Sequence, residues 1–85
     1  MSAITLRFFA SLREALQTAE ERTELPAGVT SVGALRAHLA ARGGEWQRLT
    51  ANASLRCAVN QAMADDAAAL RAGDEVAFFP PVTGG

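Results

Sequence analysis

The sequence predicts a single α+β domain, on the basis of its length, its composition and the order of its periodic segments. Its 85 residues are enough for one small domain, and 49% of them are apolar, which is enough for a core. The segments follow the order strand, short helix, strand, main helix, then strands to the end. A first and a last strand lying side by side under one helix would satisfy this pattern, although the order alone also allows other α+β folds.

The first segment alternates apolar and polar residues, which predicts a half-buried strand. Ile4, Leu6 and Phe8 would point inward. Arg7 and Phe9 would lie on the other face if the strand continued through Phe9, and an arginine there is expected to be solvated.

A short helix and a second strand are expected next. Ser11 and Glu14 have the spacing of a capping box, so the helix should begin at Leu12. The second strand covers residues 22–25, where the alternation is weaker, and a turn at 26–28 ends it because proline and glycine occur there.

The main helix is expected to begin after Thr30 or Ser31, since either hydroxyl can cap it. The pair Gly43 and Gly44 should end it in the manner of a C′ glycine. Residues 45–52 are then expected to be irregular, with Trp46 and Leu49 closing one end of the core. The buried face of the helix should present three residues at helical spacing: Val32, Leu35 and Leu39.

Short strands complete the domain. Residues 55–59 predict a third strand, and a turn at 60–61 leads into a short segment at 62–63. A turn over 70–74 feeds the last strand at 75–79, in which Phe78 should point inward and Phe79 outward.

Residues 80–85, called the arm below, follow this body of residues 1–79. Pro80 and Pro81 stop the last strand, because neither has an N–H to donate and both fix φ. Extended, the arm could reach roughly 20 Å from the body. Gly84 and Gly85 lack a Cβ, so the α-carboxylate could enter a narrow channel. That carboxylate is a poor electrophile, and to act as an acyl carrier it must be activated elsewhere, most simply as an acyl-adenylate.

Three stretches resemble the small subunits of molybdopterin synthases, a family of ubiquitin-like sulfur carriers with the β-grasp fold. The stretches are residues 8–14, 57–61 and 73–85. With the matching length, the resemblance spans essentially the whole chain. Its most specific part is the end of the chain: Phe78-Phe79-Pro80-Pro81-Val82-Thr83-Gly84-Gly85.

The resemblance implies a single β-grasp domain, with a mixed sheet packed on one main helix and a flexible diglycine tail. It also implies that a separate ATP-dependent enzyme adenylates Gly85 and that sulfur from a sulfurtransferase replaces AMP. The product is a C-terminal thiocarboxylate, 1-thioglycine. Gly84 and Gly85 would then enter the large catalytic subunit and donate sulfur to a cyclic pyranopterin precursor of the molybdenum cofactor. The resemblance assigns these residues to partner binding: Phe9, Met63, Phe79, Pro80, Pro81, Val82 and Thr83.

Charge and composition disfavour several other functions. The net charge is −1, without a block of either sign, so nucleic-acid binding is not expected. Arginines interrupt the apolar N-terminus, so no membrane segment is expected either, and one cysteine suits a reducing compartment such as the cytoplasm. All eight basic residues are arginine, which excludes a modifier that builds chains on its own lysines.

Few side chains suggest catalysis by this chain alone. His38 flanks the apolar stripe of the main helix, and Cys57 lies among apolar residues, so a buried thiol is expected. Asp65 and Asp66 are expected to be solvated, without basic partners. Neither a metal site nor a cofactor bound by this chain is expected, and ATP would be used by the activating enzyme.

Three alternatives remain open from the sequence. The first is a sulfur carrier for thiamine thiazole synthesis, which shares the fold and the diglycine end. The second is a protein modifier conjugated to lysines of other proteins through Gly85. The third is an interaction domain with an inert, frayed tail.

Overall fold

The computed structural model describes residues 3–51 and 55–80. Within those ranges, no helix is long and apolar enough to span a bilayer. Val82, Thr83, Gly84 and Gly85, together with Pro81, lie outside the described residues. The elements, in chain order, are β1 (Ala3–Phe8), α1 (Ala10–Leu16), β2 (Glu20–Glu24), α2 (Val32–Ala40), a 3-10 helix (Gly44–Gln47), α3 (Arg48–Ala51), β3 (Arg56–Val59), β4 (Ala62–Ala64) and β5 (Glu75–Phe79).

The strands form one mixed sheet in the order β2-β1-β5-β3-β4. β1 and β5 run parallel in the middle, with Leu6 opposite Val76 and Phe8 opposite Phe78. The other three pairings are antiparallel. Parallel neighbours need a long crossover connection, and the segment that contains α2 supplies it. This arrangement confirms the predicted β-grasp fold.

The core lies between the sheet and α2. Val32, Leu35 and Leu39 of α2 are fully buried, as their helical spacing predicts. Phe8 and Phe78 stack with ring centroids 6.1 Å apart, and both come from the central strand pair. The first and last strands are therefore joined by side chains as well as by their backbone ladder.

The capping-box prediction for α1 is wrong. The helix begins at Ala10, two residues earlier than expected, so Ser11 lies inside it. Phe9 is the N-cap and makes no side-chain capping bond. The chain turns abruptly out of β1, because Ala10 has φ +54° and the Arg13 N–H donates to the Phe9 carbonyl at 3.2 Å.

The start of α2 follows the prediction, and its end does not. Ser31 caps the helix, with its hydroxyl accepting from the Ala34 N–H at 3.2 Å. The helix ends at Ala40, before the glycine pair. A tightened last turn ends it, in which the Gly43 N–H donates to the Ala40 carbonyl at 3.0 Å.

The segment after α2 is helical, so the prediction of an irregular region is wrong. Its role in closing the core is confirmed: Leu49 is fully buried, and Trp46 meets Phe8 edge-on with centroids 5.4 Å apart. The guanidinium of Arg42 covers Trp46 at 4.4 Å and also binds Glu21 through two hydrogen bonds of 3.0 and 2.6 Å. This pair lowers the pKa of Glu21 and ties β2 to the end of α2.

Asp66 has a basic partner, contrary to the prediction. Arg36 donates from Nη1 to Asp66 Oδ1 and from Nε to the Leu49 carbonyl, both at 2.7 Å. The Asp66 carbonyl accepts from the Gly33 N–H at 2.9 Å. A Cβ on Gly33 would lie only 3.1 Å from the Asp66 Cβ, so glycine permits this close approach.

The β3–β4 turn also anchors the start of β5. Asn60 and Gln61 form its two-residue loop with φ of 51° and 69°, as in a type I′ hairpin. Asn60 Nδ2 donates to Asp74 Oδ1, and Asn60 Oδ1 accepts from the Glu75 N–H, each at 3.0 Å. Asn60 therefore joins the hairpin to the strand that leads to the arm.

Gln61→Gly should stabilise the domain by about 0.5–1 kcal/mol, because glycine adopts positive φ without the steric cost that a side chain incurs. Urea unfolding measures the change. Ala67→Gly is the control, since Ala67 lies in a turn without positive φ and should lose stability. Equal destabilisation of both variants would contradict the assignment of strain to Gln61.

Candidate functional site

The last strand determines where the arm leaves the body. β5 lies between β1 and β3, and its side chains alternate between the two faces of the sheet. Phe78 points into the core and is fully buried, whereas Phe79 is half-buried on the opposite face. The predicted inward and outward placement of the two phenylalanines is confirmed. Pro80 follows directly, so the arm begins at the centre of one sheet edge.

The sheet face that points away from the core, called the outer face below, has an apolar half. Ala77, Ala58 and Met63 lie side by side across β5, β3 and β4. Phe79 lies two residues beyond Ala77 on the same face. Met63 is 62% exposed, which is high for a large apolar side chain.

The other half of the outer face is charged. Arg7 contacts Glu20 at 3.0 Å and Glu75 at 3.3 Å, so it bridges β2, β1 and β5. Arg7 is exposed, as predicted, and its two salt bridges are contacts that the sequence did not predict. All three groups are well exposed or half-exposed, so the bridge contributes little to stability. It does place a polar boundary beside the apolar half.

Phe9 lies near the start of the arm although it is not a strand residue. Because Phe8 pairs with Phe78, Phe9 emerges at the same end of the sheet as Phe79 and Pro80. Its side chain is 42% exposed. The structure thus groups Phe9, Phe79 and Pro80, whereas Met63 lies about 10 Å from the β5 axis at the β4 edge, two strand spacings away.

A cavity of about 300 Å³ adjoins the first residue of the arm. Leu12 of α1 and Leu55 supply its apolar wall, and Arg48 supplies a positive charge. Sequence reasoning gave these residues no part in a functional site, because they come from three separate segments and share no motif. The complete lining is Ser11, Leu12, Arg48, Ala51, Leu55 and Pro80.

A second arginine lies beside Phe79, and so near Pro80, the first residue of the arm. Arg56 is exposed and sits directly opposite Phe79 in the antiparallel β3–β5 pair. Arg48 and Arg56 therefore place two guanidinium groups near the point where the arm begins. Arg48 is paired with Glu45, whereas Arg56 adds an exposed positive charge opposite Phe79.

The one thiol of the sequence is buried in the core. Cys57 is 4% exposed and lies opposite Phe78 in the sheet. Burial raises its pKa to about 11, an effect that the charge of Arg36 only partly offsets. The thiol is therefore protonated at neutral pH, and the prediction of a buried thiol is confirmed.

Native Cys57 should react with iodoacetamide at pH 8 about a hundredfold more slowly than in the urea-unfolded chain, because thiolate is the reactive species. Intact mass over time measures the rate. Equal alkylation rates in the folded and unfolded states would contradict the burial of this thiol.

The raised pKa of Cys57 also predicts that the stability of the domain is intact below pH 9 and falls as the pH rises towards 11, since the unfolded state loses the proton first.

Comparisons with known proteins agree with this architecture. The model described as the ThiS family matches residues 6–85. The molybdopterin synthase sulfur carrier subunit of Escherichia coli (strain K12) is 45% identical over 82 residues, which cover 96% of this chain and 99% of that protein. The protein of the same name from Haemophilus influenzae is 37% identical over the same shares.

A solved structure shares the fold over the full chain. SAMP1 from Haloferax volcanii, the small archaeal modifier protein 1, has a TM-score of 0.75 and 26% identity. The match covers 98% of this chain and 99% of that one. The sheet order and the near-complete family match together lead to one conclusion: the chain belongs to the ThiS family.

Proposed function

We propose that this chain is the sulfur carrier subunit of a molybdopterin synthase. The observation that carries the proposal is the 45% identity to a protein of that name over nearly the whole of both chains. The structure supports it by placing Phe79 and Pro80 at the end of a central strand, beside an exposed apolar surface. A rigid body that presents one chain end is what a group carrier needs.

In this proposal the chemistry occurs at the carboxylate of Gly85. The carboxylate attacks ATP on a separate activating enzyme, pyrophosphate leaves, and an acyl-adenylate results. A sulfur nucleophile from a sulfurtransferase then attacks the acyl carbon and AMP leaves, which yields the thiocarboxylate, 1-thioglycine. Gly84 and Gly85 suit both steps, because two residues without side chains let the reacting group pass through a narrow channel.

The proposed acceptor is a cyclic pyranopterin precursor bound by the large catalytic subunit. The arm, from Pro80 through Pro81, Val82 and Thr83 to the glycines, would enter that subunit and deliver sulfur. The large subunit would supply the acid–base groups and the anion site. The carrier contributes reach and a nucleophilic sulfur.

The proposed docking surface is the apolar half of the outer face together with Phe9. Phe79 and Phe9 flank the start of the arm, and Met63 extends the surface to the β4 edge. Large apolar side chains that stay exposed on a small domain mark protein–protein contacts. The Arg7 bridge to Glu20 and Glu75 would form the polar rim.

Removal of Gly85 should abolish sulfur transfer while leaving the fold intact, because the reacting carboxylate must lie at a fixed distance from the body. The assay combines the variant with the activating enzyme, a sulfur donor, the large subunit and the precursor, and measures molybdopterin. The thermal midpoint of the variant should equal that of the parent protein. Normal product formation by the shortened chain would refute the proposal.

Phe79→Ala should weaken the complex with the large subunit about tenfold or more and reduce domain stability less, since Phe79 is only half-buried. Phe78→Ala is the matched control. It removes a fully buried ring and should cost about 3–5 kcal/mol of domain stability. Binding titrations and urea unfolding separate the two effects. An unchanged affinity for Phe79→Ala would exclude it from the interface.

The likeness to SAMP1 favours a protein modifier as the second candidate. A modifier would form amide bonds between Gly85 and lysines of other proteins, and these adducts would be visible by mass after activation without a sulfur donor. A thiazole-synthesis carrier would form the same thiocarboxylate and would donate it to a different synthase. The names of the two curated relatives favour molybdopterin synthase.

A further inference from the structure

We propose that the body is built to be inert towards its own activated end: the positions around the arm carry arginine in place of lysine, and the single thiol is enclosed. This inference rests on the proposed function, in which Gly85 passes through an activated acyl state. It assigns Arg48 and Arg56 a specificity role, namely to occupy positions within reach of the arm without capturing its activated end.

An activated Gly85 would react with any accessible amine of the same chain. The nitrogen lone pair attacks the Gly85 carbonyl carbon, the bond to the leaving group breaks, and AMP departs with that electron pair. The amine releases its proton to solvent, and a stable amide closes a ring. Such a product is lost to sulfur transfer, because an amide does not exchange with sulfur nucleophiles under mild conditions.

Proximity makes this side reaction fast. A tether of a few residues gives an effective concentration of about millimolar between its two ends, so even the small neutral fraction of a lysine amine competes with hydrolysis. Arg48 lines the cavity that Pro80 borders, and Arg56 lies opposite Phe79, so both are within the roughly 20 Å reach of the arm. Lysine at either position would be an acyl acceptor.

Arginine satisfies the charge requirement without this reactivity. The guanidinium stays protonated at every physiological pH, and its nitrogen lone pairs are delocalised, so it is not a nucleophile. Both side chains are exposed, and Arg48 pairs with Glu45 at the surface, so neither arginine is needed to fill the core. All eight basic residues of the sequence are arginine.

The thiol of Cys57 is kept away from Gly85 by burial. Cys57 belongs to β3, one residue from Arg56, so an accessible thiol there would lie close to the arm. It instead points into the core opposite Phe78 and is 4% exposed. The two strongest nucleophile classes among side chains, amines and thiols, are thus both withheld from Gly85.

The test uses a Gly85 α-thioester of the full chain, prepared by thiolysis of an intein fusion, so it needs no activating enzyme. Arg48→Lys and Arg56→Lys are compared with the parent sequence at pH 8.5, where about 1% of a lysine is neutral. We expect the parent thioester to disappear only by hydrolysis. Each lysine variant should lose its thioester about tenfold faster or more, giving a product one water lighter than the free acid at a rate independent of protein concentration.

Arg71→Lys is the matched control. Arg71 precedes β5, whose five residues span about 16 Å, so it lies at the opposite end of the strand from the arm. This variant should lose its thioester more slowly than Arg48→Lys and Arg56→Lys, because only an almost fully extended arm spans that distance. The inference is overturned if Arg48→Lys and Arg56→Lys decay at the parent rate, or if Arg71→Lys cyclises as fast as they do.

Two further readouts keep the outcome interpretable. Circular dichroism and slow alkylation of Cys57 confirm that each variant is folded. The thioester assay is also independent of the proposed function: cyclisation can occur in a chain that never forms a thiocarboxylate, and a thiocarboxylate can form in a chain whose lysine variants do not cyclise.

Discussion

The parallel pairing of β1 with β5 is the constraint on which the rest of the structure depends. Phe8 and Phe78, opposite each other in this pair, stack in the core, and Trp46 packs edge-on against Phe8. Parallel strands cannot be joined by a tight turn, so α2 must cross over the sheet and bury its apolar stripe there. The hairpin of β3 and β4 then adds to the free side of β5. The last strand is thereby fixed beside the first strand.

In this pairing the last strand has one face in the core and one face outside it. Alternation buries Val76 and Phe78 in the core and leaves Ala77 and Phe79 on the outer face, which carries the proposed docking surface. Because β5 is central, the residues that follow it leave from a part of the sheet with strands on both sides. The arm therefore has a rigid origin, which a group that must reach a distant reaction centre requires. Cys57 and the arginines fit the same pattern, because the thiol is buried in the core and the exposed guanidinium groups are not nucleophiles.

Periodicity and end signals predicted much of this structure from sequence. The alternation in β1 and β5 and the spacing of Val32, Leu35 and Leu39 reflect burial directly, so the predicted inward residues are those found in the core. The capping box at Ser11 failed because local spacing carries no information about where the preceding strand ends. The glycine stop at Gly43 failed because a tightened turn ends α2 earlier.

The remaining features depend on strand register and tertiary contacts. Arg7 meets Glu20 and Glu75 only because three strands are aligned, and no spacing along the chain encodes that. The positions of Arg48 and Arg56 beside the arm depend likewise on how α3 and β3 pack. The resemblance to known carriers is the basis for the predicted partner-binding positions, which stay predictions, and it offered no signal for these arginines.

The most direct test of the central claim is the intact mass of the protein after incubation with ATP, a sulfur donor and the activating enzymes of its cell. The account predicts a gain that matches replacement of one oxygen by sulfur, mapped by fragmentation to Gly85. An unchanged mass, or amide adducts with other proteins in its place, would contradict the assignment of this chain as a sulfur carrier.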